Sequence, residues 1–309
     1  MSRILVTGAS GFVGRAVVPA LVSRGHAVRA ASRGNAAFAA PVEAAGHGDL
    51  RGDGFGDGSS WLPLVAGVDA VVHLAGIAHT GPGVPEDDYD RVNRRATVGL
   101  AAAARAAGVG RLVFVSTIRA QTGPSASRVL TEDDPPAPTD GYGRSKLAAE
   151  AAVARSGVPF TVLRPVLVHG PGVKGNLAAL ARLAALPVPL PFGAFASRRS
   201  LVGIGNLVAA LAFVLDRPDT QGETYLVADP EPVSLAGMVT ALRAGMGRRP
   251  GLVRVPPALV RLGLVAVGRA RWWDQLAGEL VVDPGKLTRA GFRAETSTAE
   301  GLAAMTTRS

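Results

Sequence analysis

The stretch ILVTGASGFVG, residues 4 to 14, decides the fold. Three apolar residues and a threonine run into glycines at positions 8, 11 and 14, and a helical pattern opens among them. An unbroken apolar run of this length is what a buried parallel strand looks like in sequence. The first glycine allows the tight turn out of the strand, the second lets the backbone approach a pyrophosphate, and the third lets helix and sheet pack closely. The helix N-terminus then faces the anion. A glycine triplet alone also fits an ordinary tight turn; its place between strand and helix is what points to a dinucleotide.

Outward from this loop, short apolar runs recur at 27–32, 70–75, 112–116 and 160–165, and helical patterns fall at 12–24, 89–107 and 142–156. Gly108 and Gly157 are placed as helix stops, and Pro19 should bend the first helix. The alternation predicts an α/β fold, a Rossmann-type doubly wound parallel sheet. After residue 170 the rhythm gives way to proline-punctuated segments at 186–195 and 229–235, with one strand-like run at 224–228. The expected organisation is a dinucleotide-binding domain over 1–170, to which about 200–228 returns, and a smaller C-terminal substrate-binding cap over 171–309. Loops are expected at 34–60, 80–88 and 121–139, where Gly, Pro, Ser and Asp accumulate.

Composition narrows the field. A chain of 309 residues is long enough for a large α/β domain or for a domain of common size with a smaller companion. There is no cysteine, and the five histidines fall at no ligand spacing, so no disulfide and no metal site are expected. The chain starts without a signal-peptide pattern, which predicts a cytoplasmic protein. Its longest apolar stretch, 201–215, is shorter than the roughly 20 residues of a membrane span and contains Asn206, so no membrane partner is expected. The formal charge of +9 comes from arginine, since the chain has only three lysines. These arginines form no continuous run, and aromatics are 5% of residues, which argues against a nucleic-acid partner.

Specific side chains then suggest chemistry. The second strand ends at Ser32 and Arg33, where a site selecting NAD would present a carboxylate to the ribose hydroxyl; arginine suits a 2′-phosphate and favours NADP over NAD. Arg33 equally fits a solvated surface position. Asp49, after a further short strand, is placed to hold the adenine amino group or simply to close a turn. Tyr142 and Lys146 stand four residues apart on one helix face. A phenol titrates at about 10, and an ammonium at 4 Å stabilises phenolate by about 4 kcal/mol at an effective dielectric of about 20, so the pair reads as a general base. Ser116 and Thr117, at the end of the 112–116 strand, offer a hydroxyl to the same substrate oxygen.

The motifs TGASGFVG, GDL, HLAG, DRVN, FVST and YGRSK, in this order, resemble the extended short-chain dehydrogenase/reductase superfamily, its NAD(P)-dependent epimerase/dehydratase group. The resemblance continues through LRPVLVHGPGVKGN and RRSLV to LTRAGFRAETSTAEGL, nearly the whole chain. It implies catalytic roles for Thr117, Tyr142 and Lys146, with Asn93 steadying the catalytic region. It implies cofactor contacts from Gly8, Gly11, Phe12, Val13 and Gly14, from Ser32, Arg33, Asp49 and Leu50, and from Leu74, Ala75 and Gly76, besides Tyr142 and Lys146. Asn176 and Arg199, with Thr117, are implied on the substrate side, the first two at the diphosphate of a nucleotide sugar.

Departures narrow the chemistry further. Ile118 and Arg119 stand where related dehydratases carry carboxylates, which argues against loss of water, and His169 replaces a usual tyrosine. The expected activity is that of a UDP-sugar 4-epimerase working through a 4-keto sugar. The alternatives are an NADPH-dependent carbonyl reductase acting on a non-nucleotide ketone and a non-catalytic nucleotide-binding relative. A homodimer is expected by pairing of helices 89–107 and 142–156.

Overall fold

The computed structural model describes residues 1–34, 36–78, 83–266, 268, 273 and 278–307. The chain forms two compact units. The first comprises Met1–Gly123, Glu132–Pro165 and Val208–Leu226, and the second Pro124–Thr131, Val166–Leu207 and Val227–Ser309. The short excursion Pro124–Thr131 joins the second unit because its backbone pairs there: Ala126 donates to the carbonyl of Glu279, and Leu130 bridges Val282.

In the first unit seven strands form one sheet: β1 Arg3–Thr7, β2 Ala27–Ser32, β3 Glu43–Gly46, β4 Ala70–His73, β5 Arg111–Val115, β6 Phe160–Pro165 and β10 Glu223–Val227. Their order is β10-β6-β5-β4-β1-β2-β3, and every pairing from β3 across to β6 is parallel. The strand order reverses direction between β1 and β4, which makes that crevice the switch point where ligands bind in open α/β sheets. Helices Gly14–Ser23, Ala96–Ala106 and Gly141–Arg155 supply the crossovers. Leu5, Val71, Leu112 and Phe114 lie in the core with Trp61 and Leu100, all wholly or almost wholly buried.

Several readings change for local reasons, and the expected loop 34–60 holds β3 Glu43–Gly46 and a helical turn Asp53–Gly56. β4 stops at His73 rather than at residue 75, because the amides of Leu74 and Ala75 turn to the hydroxyl of Thr7. The helix expected over 89–107 is three pieces: Glu86–Tyr89, a π-helical stretch Asp90–Arg95, and Ala96–Ala106. This makes part of the expected loop 80–88 helical, while its residues 80–82 lie outside the described residues. The first helix runs through Pro19 without interruption. Gly108 and Gly157 have φ of +70° and +76°, as helix stops require.

The second unit holds strands β7 Leu167–His169, β8 Arg198–Arg199, β9 Leu201–Gly203 and β11 Val233–Ser234, paired as β7 with β9 and β8 with β11. Its helices Asn176–Ala184, Leu235–Gly245 and Thr298–Ala304 gather Leu180, Leu201, Val239, Leu242 and Leu302 into a separate core. Helix Ile204–Asp216 carries the chain from this unit back to the first.

Candidate active site

The glycine loop is closed to side chains at two of its three glycines. Gly8 leaves β1 with φ of +68°, and a Cβ there would sit 2.8 Å from the nitrogen of Ala75. At Gly14 a Cβ would sit 2.4 Å from the carbonyl oxygen of Gly8. Gly11 meets only that same oxygen, at 3.1 Å, leaving its other side clear. Phe12 and Val13 are half-buried beside it. The helix that follows starts with no side-chain cap and no acid in its first turn, so no group of its own first turn competes with an anion for its positive end. The cradle therefore fits the pyrophosphate of a dinucleotide.

Around the neighbouring strand ends, Ser32 is buried, with its hydroxyl donating to the carbonyl of Gly34 at 2.7 Å, while Arg33 is exposed. Asp49 is exposed and accepts from the guanidinium of Arg51 at 3.3 Å; that arginine also reaches Asp88 at 2.9 Å. Leu50 is buried beneath. Leu74, Ala75 and Gly76 follow β4, where a Cβ on Gly76 would meet Asn93 Oδ1 at 2.8 Å.

Those three residues are held by a chain of side-chain hydrogen bonds. Thr7 Oγ1 accepts the amides of Leu74 and Ala75, each at 3.2 Å, so its proton is donated to His73 Nδ1 at 2.6 Å. His73 Nε2 then donates to Thr97 Oγ1 at 2.9 Å, which donates to the carbonyl of Asn93 at 2.7 Å. The ring is neutral in this tautomer, and complete burial pushes its pKa well below the usual value. Asn93, on the π-helical stretch, clamps the backbone of Ile77 through Oδ1 (2.8 Å) and Nδ2 (3.2 Å). Its amide also donates to Ser145 Oγ at 3.0 Å, and Ser145 donates to the carbonyl of Tyr142 at 2.8 Å. One asparagine thus ties the turn after β4 to the helix of Tyr142.

Tyr142 opens the helix Gly141–Arg155, whose N-cap is Asp140, accepting from Gly143 at 2.7 Å. Thr117 and Tyr142 are both buried, and the threonine side chain favours the ionised phenol. Thr117 also accepts the amide of Arg119 at 3.2 Å, and Arg119 reaches Asp140 at 2.6 Å. Burial raises the phenol to about 12; Thr117 and Arg119 pull it down, whereas Asp140 and Tyr89 push it up. The helix is packed closely here, since a Cβ on Gly143 would meet the carbonyl of Arg119 at 2.2 Å.

Lys146 is one turn on and buried. Its Nζ donates to the carbonyl of Val115 at 2.8 Å and lies 4.0 Å above the ring of Phe114. Burial lowers its pKa to about 7, against an upward pull from Glu150. The expectation that Lys146 holds the phenol ionised is corrected here. The ammonium is directed to a strand-end carbonyl, and desolvation, which penalises both charged forms, leaves the tyrosine of the protein by itself protonated.

Glu150, four residues further along the helix, binds Arg164 through Nη2 at 2.6 Å and Nε at 3.1 and 3.2 Å, and accepts from Ser116. Arg164 spends another donor on Gln121 Oε1 at 3.1 Å. Glu150, Arg164 and the Thr7–His73 pair escaped the sequence reading. The signal for Glu150 was a carboxylate at the i+4 position from Lys146; for the others it was a polar residue within an apolar strand.

The structure therefore brings Thr117, Tyr142, Lys146 and Asn93 together within the first unit. Asn176 and Arg199 belong to the second: Asn176 begins a helix behind Gly175, whose φ is +71°, and Arg199 in β8 donates to the carbonyl of Pro124 at 3.4 Å. Among the described residues, no cluster of acidic or histidine side chains is arranged to hold a metal.

Comparison with known proteins places these features in context. The model of the NAD dependent epimerase/dehydratase family matches residues 4–228. UDP-glucose 4-epimerase of Vibrio cholerae is 35% identical over 298 residues, spanning 91% of this chain and 87% of that one. A 2-alkyl-3-oxoalkanoate reductase of Stenotrophomonas maltophilia is 33% identical over 259 residues, 79% and 76% of the two chains. Among solved structures, MoeE5 in complex with UDP-glucuronic acid and NAD superposes with a TM-score of 0.77 at 26% identity, covering 98% of this chain and 97% of that one.

Proposed function

The chain belongs to the NAD dependent epimerase/dehydratase family, and from that premise we propose that it interconverts the C4 epimers of a UDP-sugar by transient oxidation to the 4-keto sugar. The observation that carries this reading is the joint burial of Thr117 and Tyr142, the threonine favouring the ionised phenol, with Lys146 one helical turn on. Tyr142 takes the proton of the C4 hydroxyl and returns it from the same oxygen. Thr117 donates to that oxygen and keeps the phenol oriented. Before it serves as base the phenol loses its own proton, which Thr117 and Arg119 favour and burial opposes. A bound nicotinamide supplies the redox chemistry by accepting a hydride and giving it back. Gly8, Gly11 and Gly14 hold the pyrophosphate, and exposed Arg33 supports a preference for NADP. Asn176 and Arg199 are assigned to the sugar diphosphate, where a guanidinium pairs well with phosphate oxygens. Homodimerisation through helices Ala96–Ala106 and Gly141–Arg155 belongs to the same reading and is checked by molar mass in solution.

The test incubates the protein with UDP-, GDP- and dTDP-sugars and reads products by NMR while following nicotinamide absorbance. The expected result is a C4-epimeric mixture with no net absorbance change at steady state.

A second reading, reduction of a non-nucleotide ketone, is favoured by the likeness to the oxoalkanoate reductase and by Arg33. Steady NADPH consumption with ketones, and no thermal protection by UDP, would establish it instead.

A further inference from the structure

Between Glu231 and Asp274 the chain contains no acidic residue. In the second unit this acid-free segment carries an apolar surface. Of the large apolar side chains that stand exposed among the described residues, more than half are in two stretches: Leu186 and Val188, and then Val253, Leu259, Leu262 and Val265, each between 46% and 66% exposed. Leu259, Leu262 and Val265 repeat at three-residue spacing along one side of helix Pro257–Ala266, while Val260 packs inward on the unit's core.

The first stretch is fastened to the second by one buried residue. Arg243 donates to the carbonyls of Leu186 (3.1 Å), Val188 (2.7 Å), Pro250 (2.7 Å) and Gly251 (3.0 Å), and so spends its whole fork on two loops. The ladder continues as Leu190 donates to the carbonyl of Gly251 and accepts from the amide of Val253, each at 2.9 Å. Exposed arginines border the result: Arg248 and Arg249 in the loop, Arg254 just before the helix, and Arg261 on it. No carboxylate pairs with any of them among the described residues.

Three occupants compete for such a face. A second copy of the chain would bring the same acid-free, arginine-rimmed surface against it, and like charges would meet. A nucleic acid answers the arginines and leaves the leucines in water. An anionic bilayer satisfies both, because the headgroup region takes short apolar side chains while phosphates take arginine. We propose that this face of the second unit docks on the surface of an anionic lipid bilayer, Leu259, Leu262 and Val265 entering the headgroup region and the bordering arginines meeting lipid phosphate. No helix among the described residues is long and apolar enough to cross a membrane, so the contact is peripheral. The sequence reading expected no membrane partner because its longest apolar stretch, 201–215, is too short for a span, which a peripheral contact does not need. It is folding that collects the separate stretches.

The test is co-sedimentation of the full chain with phosphatidylcholine vesicles, with and without phosphatidylglycerol. The expected result is binding to the anionic vesicles alone. Leu262→Glu should lower the partition about tenfold or more, since one leucine's burial is lost and a repelled charge gained. Arg254→Ala should lower it about fivefold. Leu62→Glu, at an exposed leucine of the first unit, serves as control and should leave it unchanged, and Leu262→Asn repeats the test should the charged variant misfold. Equal binding to neutral vesicles, no binding to either, or unchanged partition of both Leu262 variants overturns the proposal; the last would mean adsorption through overall charge. A dimer that dissociates on Leu262 substitution while vesicle binding is absent assigns the face to a second copy and overturns it as well.

Discussion

Each unit buries a polar network built on one carboxylate, and the two are finished differently. In the second unit Asp229 accepts from Gly203 at 2.9 Å, from Asn206 at 2.7 Å and from His169 Nε2 at 2.9 Å, while Asn206 Nδ2 also donates to the carbonyl of Thr296. Every oxygen of that carboxylate is used to join strand ends and a loop. In the first unit Glu150 is similarly saturated by Arg164 and Ser116, but Lys146 beside it has one carbonyl for its three donors and a pKa brought down to about 7. Saturated carboxylates specify a fold, although His169 Nδ1 in the second network is buried without a partner among the described residues; at Lys146 unspent capacity is joined by a displaced proton affinity, which marks a place where chemistry is done. The difference is open to experiment.

The largest effect is expected at the phenol. Tyr142→Phe keeps the ring and its packing against Tyr89, 6.2 Å away between centroids, and removes only the proton-transferring oxygen. Turnover should fall by about 10²- to 10⁴-fold with nicotinamide affinity nearly unchanged. A variant that keeps full activity would dissolve the contrast, because the first network would then be architecture as well.

Next come the two carboxylates. Glu150→Ala strands a buried guanidinium and should cost about 3–5 kcal/mol in chemical denaturation. Asp229→Asn keeps most of the hub's shape, and each donor it leaves unsatisfied costs about 1–3 kcal/mol. The sharper comparison uses the milder Glu150→Gln. Losing its charge removes the upward pull on Lys146, so the break in the rate profile that follows this lysine, near pH 7, should move to lower pH. Asp229→Asn should change thermal stability and leave that profile in place.

Lysine itself offers a smaller, signed effect. Its pKa is about 7 in the folded chain against 10.5 for an ordinary lysine. Between these values the unfolded chain holds a proton that the folded chain has released, so the cost of burying Lys146 is relieved as pH rises from about 7. Tyr142 works in the opposite direction: raised from 10 to about 12, it contributes stability that is lost as pH climbs through that interval. Lys146→Met should therefore be more stable than the natural protein at neutral pH, and the gap in Tm should narrow toward pH 10. A gap independent of pH would show that the ammonium is not buried.

The sheet was legible because strand and helix differ in period, and the glycine loop because only glycine fits where a Cβ would strike the oxygen of Gly8 or the nitrogen of Ala75. Ser116 and Thr117 were both legible as strand-end hydroxyls, and it was the family resemblance that singled out Thr117. The π-helical stretch was not, since one wider turn leaves the apolar pattern nearly intact while it turns Asn93 inward. Lys146 was found but its partner misjudged: spacing places two side chains on one face and says nothing of a carbonyl at the end of β5. The second unit was read least well, because strands of two or three residues such as Arg198–Arg199 carry no period. Arg243, whose role is to gather loop carbonyls, looks in sequence like any other arginine.

The smallest expected effect separates charge from shape at the helix cap. Asp140 does two things: its carboxylate caps the helix at Gly143, and its charge, partly offset by Arg119, raises the phenol. Asparagine caps as well as aspartate does, so Asp140→Asn should change stability by less than about 1 kcal/mol. The negative charge disappears, however, and Arg119 is left to act on Tyr142 without its partner. The break in the rate profile that reports loss of the phenol proton should move to lower pH. Ser234 caps helix Leu235–Gly245 in the second unit by the same kind of bond, to Gly237 at 3.1 Å. Ser234→Asn there should match the small change in stability and leave the profile where it was. If Asp140→Asn behaves in the same way, the cap of the tyrosine helix is architecture only, and the charges around the phenol reduce to burial and the hydroxyl of Thr117.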